Sequence, residues 1–177
     1  MSIKGFKQGN LDNFCSFYSL INAIRATGFE MNQEDSQFLL NDAIEDLEPS
    51  DFVKVMLHGA GHKLLIKISK KLNTSLDRIF DHRFKMTRPY KRKEPKLSAV
   101  LKKMTDARSK NTGIIVRVSS DTFDHYSVFD CVENGKVRFI DSDHMPSLPV
   151  KEISTDGEKK YELHLKNVYF LQIRKSE

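Results

Sequence analysis

The chain has 177 residues and a formal charge of +5, with 39% hydrophobic and 30% charged side chains but only 8 glycines and 5 prolines. Such a composition excludes disordered and collagenous chains, and the length suits one ordinary domain, 1–177. With two cysteines, Cys15 and Cys131, and no apolar run near the roughly 18 to 20 residues of a membrane span, neither a disulfide framework nor a membrane partner is expected.

Early lysines precede no apolar signal core, so the expected location is the cytoplasm, or delivery by a dedicated secretion system that uses no classical signal peptide. Charge is unevenly spread. Glu30 to Asp51 holds eight acidic and no basic residues, whereas Arg83 to Lys110 holds eleven basic and two acidic ones. The molecule should therefore be electrically polarised.

In chain order, Phe14, Phe17, Tyr18, Ile21 and Ile24 fall at helical spacing, which predicts a core helix over Phe14–Thr27 stopped by Gly28. A second amphipathic helix is predicted over Asn32–Leu47, with Phe38, Leu39, Ala43, Ile44 and Leu47 inward, an acidic outer face and Pro49 beyond its end. Shorter helical patterns cover Asp51–Leu57, His62–Leu72 and Ser75–Phe80. Residues Asp81–Lys96, rich in Arg, Lys and Pro, read as an exposed connection, followed by a helix carrying Leu97, Val100, Leu101 and Met104.

After Gly113 the texture becomes strand-like: Ile114 to Val118, His125 to Val132, Lys136 to Asp141 and Leu163 to Arg174. Asn134-Gly135 is a strong hairpin signal between two of these runs. Helices first and an antiparallel sheet afterwards make an α+β fold.

Cys15 stands at a predicted helix start, where free backbone N–H groups and the helix dipole favour a thiolate. Gln8, seven residues upstream, is placed to donate to an oxyanion together with the Cys15 N–H. The general base must come from elsewhere in the chain, and His125 at a strand start fits. The predicted hairpin returns Asp141 to His125, where a carboxylate would orient the imidazole; Asp143 is the reserve candidate.

In these residues the chain resembles the papain-like cysteine peptidases, most of all the bacteriocin-processing domains that cleave double-glycine leaders. Members combine an upstream Gln, a Cys at the start of the central helix, and a His and an Asp or Asn on the later sheet. The resemblance runs from about Gln8 to Asp141, and its most specific part is the hairpin-spanned interval between His125 and Asp141. It implies a papain-like fold with N-terminal helices packed on a C-terminal sheet, and the catalytic set Gln8, Cys15, His125 and Asp141. It also implies a cysteine-dependent hydrolase or acyl transferase acting on an amide bond of a protein or peptide, without a cofactor. Phe14 and Ser16 depart from the pattern, since these families often carry Asp or Gly before the nucleophile and Gly after it. Ser16 therefore puts a side chain where substrate must approach.

Other residues take plainer readings. Cys131 is expected in the core, sharing a strand face with His125, Ser127 and Phe129. His58 and His62 flank two glycines and lack a completing ligand cluster, so no metal site is expected. The basic stretch 83–110 has few stacking aromatics, which disfavours nucleic acid. The rivals to an enzyme are a protein-binding module of the same fold and a nucleic-acid-binding domain centred on that stretch. A role as bacterial effector or toxin rests on analogy.

Overall fold

The computed structural model describes residues 14–45, 47–90, 96–142, 145 and 147–176; Gln8 and Asp143 lie outside them. The first helix, α1 (Cys15–Ala26), buries ten of its twelve residues, so it is covered on nearly all sides. Phe17, Leu20, Ala23 and Ile24 have no exposed surface. Each large side chain buried this way stabilises by about 1.5–3 kcal/mol, which anchors the helix that begins with Cys15.

Against α1 pack α2 (Gln33–Glu45) and α4 (His62–Phe80), while α3 (Pro49–His58) meets its start through Phe52 on Phe14. α4 is one helix of 19 residues where the sequence suggested two patterns, because Leu65, Ile68, Leu72 and Leu76 continue a single buried stripe through Asn73 and Thr74. In α2, Leu39, Leu40 and Ala43 face inward, but Phe38 is 53% exposed, contrary to its expected core position.

The segment read as a loop contains a strand, β1 (His82–Thr87). Its Phe84 is buried between exposed Arg83 and Lys85, the alternation of a strand with one solvated face. After α5 (Leu97–Arg108) come β2 (Gly113–Ser119), β3 (Asp124–Glu133), β4 (Lys136–Ile140), β5 (Ser147–Pro149), β6 (Ile153–Ser154), β7 (Tyr161–Leu163) and β8 (Tyr169–Lys175). The strand expected over Leu163–Arg174 is thus divided by a 3-10 turn at Leu165–Asn167.

The sheet order is β1-β8-β2-β3-β4-β5, with β7 beside the far end of β2 and β6 beside β7. All pairs are antiparallel except β6 with β7. One apolar cluster joins α1, α2 and α4 to the sheet through Ile115, Tyr126, Val128, Ile140 and Tyr169. A second joins α5 to it through Ile114, Val116, Phe129 and Val137. Among the described residues, no helix is long and apolar enough to cross a membrane.

Two close fits fix the sheet against the helices. A Cβ added at Gly113 would stand 2.1 Å from the carbonyl oxygen of Ala23, so α1 lies flush on β2 only because that position has no side chain. In the β3–β4 hairpin, Asn134 (φ 51) and Gly135 (φ 71) supply the two left-handed residues of a tight turn. A bulge between Phe129 and Cys131 then shifts the register. It sets Cys131 opposite Arg138, on the other face from Phe129 and only half buried, which corrects its expected core placement.

Candidate active site

α1 begins at Cys15 with Phe14 as its N-cap, and Phe14 supplies no side-chain cap. The first turn carries no acidic residue either. Among the described residues, no side chain caps this positive end, which favours negative charge at Cys15. Phe14 anchors this end by packing edge-on against Phe17 at 5.1 Å and against Phe52 at 5.9 Å. Ser16 is fully buried, so its side chain points into the protein and away from any approaching substrate.

His125 stands second in β3 and Asp141 follows the last residue of β4. Val128 pairs with Ile140, and continuing that ladder by one residue sets Asp141 across from Ser127. His125 is then the diagonal neighbour of Asp141 on one face, within reach of a long side chain. Its Nε2–H donates to Asp141 Oδ1 at 2.7 Å. Asp141 Oδ2 accepts the backbone N–H of Met145 at 3.0 Å, so both carboxylate oxygens are held.

His125 also shares a side-chain hydrogen bond with Cys15. Because Nε2 is committed to Asp141, Nδ1 is the ring nitrogen left for the thiol. Burial by itself would lower the His125 pKa, but the hydrogen bonds and charges of Asp141 and Cys15 outweigh it and push the imidazole up to about 10. Burial by itself would raise that of Asp141. The bonded and charged His125, the neighbouring Ser127 hydroxyl and the Met145 N–H instead hold this carboxyl below the usual carboxylate range. The three side chains thus meet from the start of α1, the start of β3 and the end of β4. Gln8 and Asp143 fall outside the described residues.

Sequence reasoning missed the supporting groups. Asp124, next to His125, is engaged by Arg117, whose Nε donates to it at 2.7 Å, so it does not compete for the imidazole. On the buried side, Asn167 Nδ2 donates to the hydroxyls of Tyr126 at 3.2 Å and Tyr169 at 3.4 Å. Tyr169 in turn meets His62 Nδ1 at 2.5 Å, and Arg88 Nη1 donates to His62 Nε2 at 3.0 Å. Both nitrogens of His62 are thereby used, and no cluster of three or more metal-ligating side chains occurs among the described residues. These contacts join positions far apart in the chain, and no local spacing signals them.

A similar fold occurs in a solved structure, the peptidase domain of Streptococcus ComA, described as a bi-functional ABC transporter involved in a quorum sensing pathway. The two superpose with a TM-score of 0.52 over 99% of this chain and 100% of that one, at 10% sequence identity. The fold is papain-like. No family model and no curated protein matches the sequence. At this identity the papain-like likeness is one of fold, and the chemistry has to be argued from the side chains.

Proposed function

We propose that this chain is a cysteine-dependent hydrolase or acyl transferase acting on an amide bond of a protein or peptide. The observation that carries the reading is the double engagement of His125, by Asp141 through Nε2 and by Cys15 at the start of α1. A nucleophile, a base and a group that orients the base are the minimum set for acyl transfer through a thioester.

In this mechanism the proton shared by Cys15 and His125 rests on Nδ1, and Sγ attacks the carbonyl carbon as the C–O π pair moves onto oxygen. The backbone N–H of Cys15 and the side-chain amide of Gln8 are the donors for that oxyanion. As the oxyanion collapses, the C–N bond breaks and His125 returns its proton to the departing amine. Water, deprotonated by His125, then attacks the thioester carbonyl carbon, and the C–S bond breaks to release the acid and restore the Cys15–His125 pair with that proton on Nδ1. An amine in place of water would give transfer instead of hydrolysis.

The test is to incubate the protein with a peptide vinyl sulfone, a thiol-directed electrophile, and locate the adduct by mass spectrometry. A single adduct on Cys15, absent from Cys15→Ala and much slower in His125→Ala, supports the reading. Labelling confined to Cys131, or equal in the His125→Ala variant, overturns it.

A further inference from the structure

The basic stretch 83–110 has a structural resolution that bears on a second ligand. Most of its described cations are already engaged: Arg83 by Asp77 at 2.5 Å, Arg88 by His62, Lys102 by Asp106 at 2.9 Å, Lys103 over the Tyr90 ring at 5.1 Å, and Arg108 by Asp130 at 3.6 Å. Lys85 and Lys110 form no ion pair among the described residues. Both line a pocket of about 580 Å3, together with Arg174 and Lys175 at the end of β8, which are also unpaired. Among the described residues, no acidic side chain lines it.

The pocket has one ring-bearing wall, formed by Phe29 and His82 at 5.1 Å centroid separation. It opens beyond the C-terminal end of α1, at Thr27 and Gly28. Cys15 opens the same helix, twelve residues long, so the pocket and the candidate active site stand about 18 Å apart along α1. The volume lies in the range of small-molecule sites, roughly 300–1,000 Å3.

We propose that this pocket is a binding site for a small, multiply phosphorylated molecule. Four cations around one pocket, Lys85 and Arg174 from one face of the β1–β8 ladder and Lys175 from the other, with no carboxylate among its described lining, repel one another, and a ligand bearing several phosphate charges relieves that repulsion with charge-assisted hydrogen bonds. The Phe29–His82 wall supplies a surface on which a planar group can stack. A nucleic-acid strand fits less well, because five of the eight described cations of the stretch are bound to protein partners.

Calorimetric titration with two probes, inorganic tripolyphosphate and ATP, tests this on the wild type and on Cys15→Ala, in which the site must persist whatever the fate of the hydrolase reading. Saturable binding of both probes is expected, weakened by at least about tenfold in Lys85→Ala/Arg174→Ala and weakening as salt is added. Tighter binding of ATP assigns a stacking role to Phe29, which Phe29→Ala should remove. A control, Lys54→Ala/Lys63→Ala, alters exposed lysines elsewhere and should leave the affinity unchanged. No saturable binding of either probe below about 1 mM overturns the proposal, as does equal weakening in the control pair. So does a single-stranded oligonucleotide that binds more tightly than ATP and is indifferent to the pocket substitutions.

Discussion

His125 donates to Asp141 across 2.7 Å although they lie sixteen positions apart in the sequence, and the separation is closed by one hairpin. The pair is nearly sealed from solvent, with side chains 9% and 4% exposed. In such surroundings each group depends on the other to stay charged, because an unpaired buried charge is costly.

Removing either member should separate their roles. His125→Ala is expected to lower turnover by about 10²–10⁴-fold, the usual contribution of a general acid–base group. Asp141→Ala should cost less, since proton transfer survives while orientation is lost. Steady-state kinetics on a cleavable peptide checks this order, and an Asp141 variant worse than the His125 variant contradicts the assigned roles.

Stability should carry a distinct pH signature. The folded His125 pKa, at about 10, lies above the ordinary 6.5, so its contribution is complete below about pH 6.5 and fades as pH rises towards 10. Asp141, held below the ordinary 3.8, contributes above that pH and loses its contribution as pH falls through its folded value. Urea unfolding of wild type against His125→Gln should therefore show the wild-type advantage shrinking between pH 6.5 and 10. A constant difference across that range would mean the imidazole is not held in its charged form.

The two thiols should differ in reactivity. Burial and the nearby Asp130 and Glu133 carboxylates raise the Cys131 pKa, leaving it protonated at neutral pH. Cys15, bonded to His125 at a helix start, should be alkylated by iodoacetamide at least about tenfold faster. Mass spectrometry of timed digests gives the rates, and His125→Ala should remove most of the difference.

Ser16 suggests a gain in stability. Its Oγ is buried with no hydrogen-bond partner among the described residues, and an unsatisfied buried hydroxyl costs about 1–3 kcal/mol. Ser16→Ala should raise the melting temperature without reducing Cys15 labelling. A lowered melting temperature would reveal that the hydroxyl has a partner.

Gly113→Ala should act in the opposite sense. Its methyl group would collide with backbone, which cannot rotate away, so a loss of at least about 2 kcal/mol is expected in chemical denaturation. Because α1 must move to make room, Cys15 labelling should slow as well, although the substitution lies at the other end of the helix.

The site was legible where its signals are local or set by a hairpin. The α1 boundaries follow from aromatic and aliphatic spacing and Gly28, and the closeness of His125 to Asp141 follows from strand length and the Asn-Gly turn. β1 was not, because Arg83 and Lys85 drew attention to charge while its pairing partner, β8, lies about ninety residues later. The Cys131 error has one cause: the bulge reverses the alternation within β3, and nothing in Phe129-Asp130-Cys131 announces it. Asp130 acquires its reason only in the folded chain, where it meets Arg108, whose Nη1 also donates to the Ala26 carbonyl at the end of α1.

The hairpin also limits how such a chain can diverge. Side chains alternate between faces every residue, so adding one residue within β3 or β4, between the pair and the Asn134-Gly135 turn, would send His125 and Asp141 to opposite faces, whereas adding one to each strand would leave the pair intact. Evolution can lengthen or shorten this arm freely only in even steps. An odd step survives if a bulge absorbs it, and the extra residue at Asp130 has the form such a repair would leave behind.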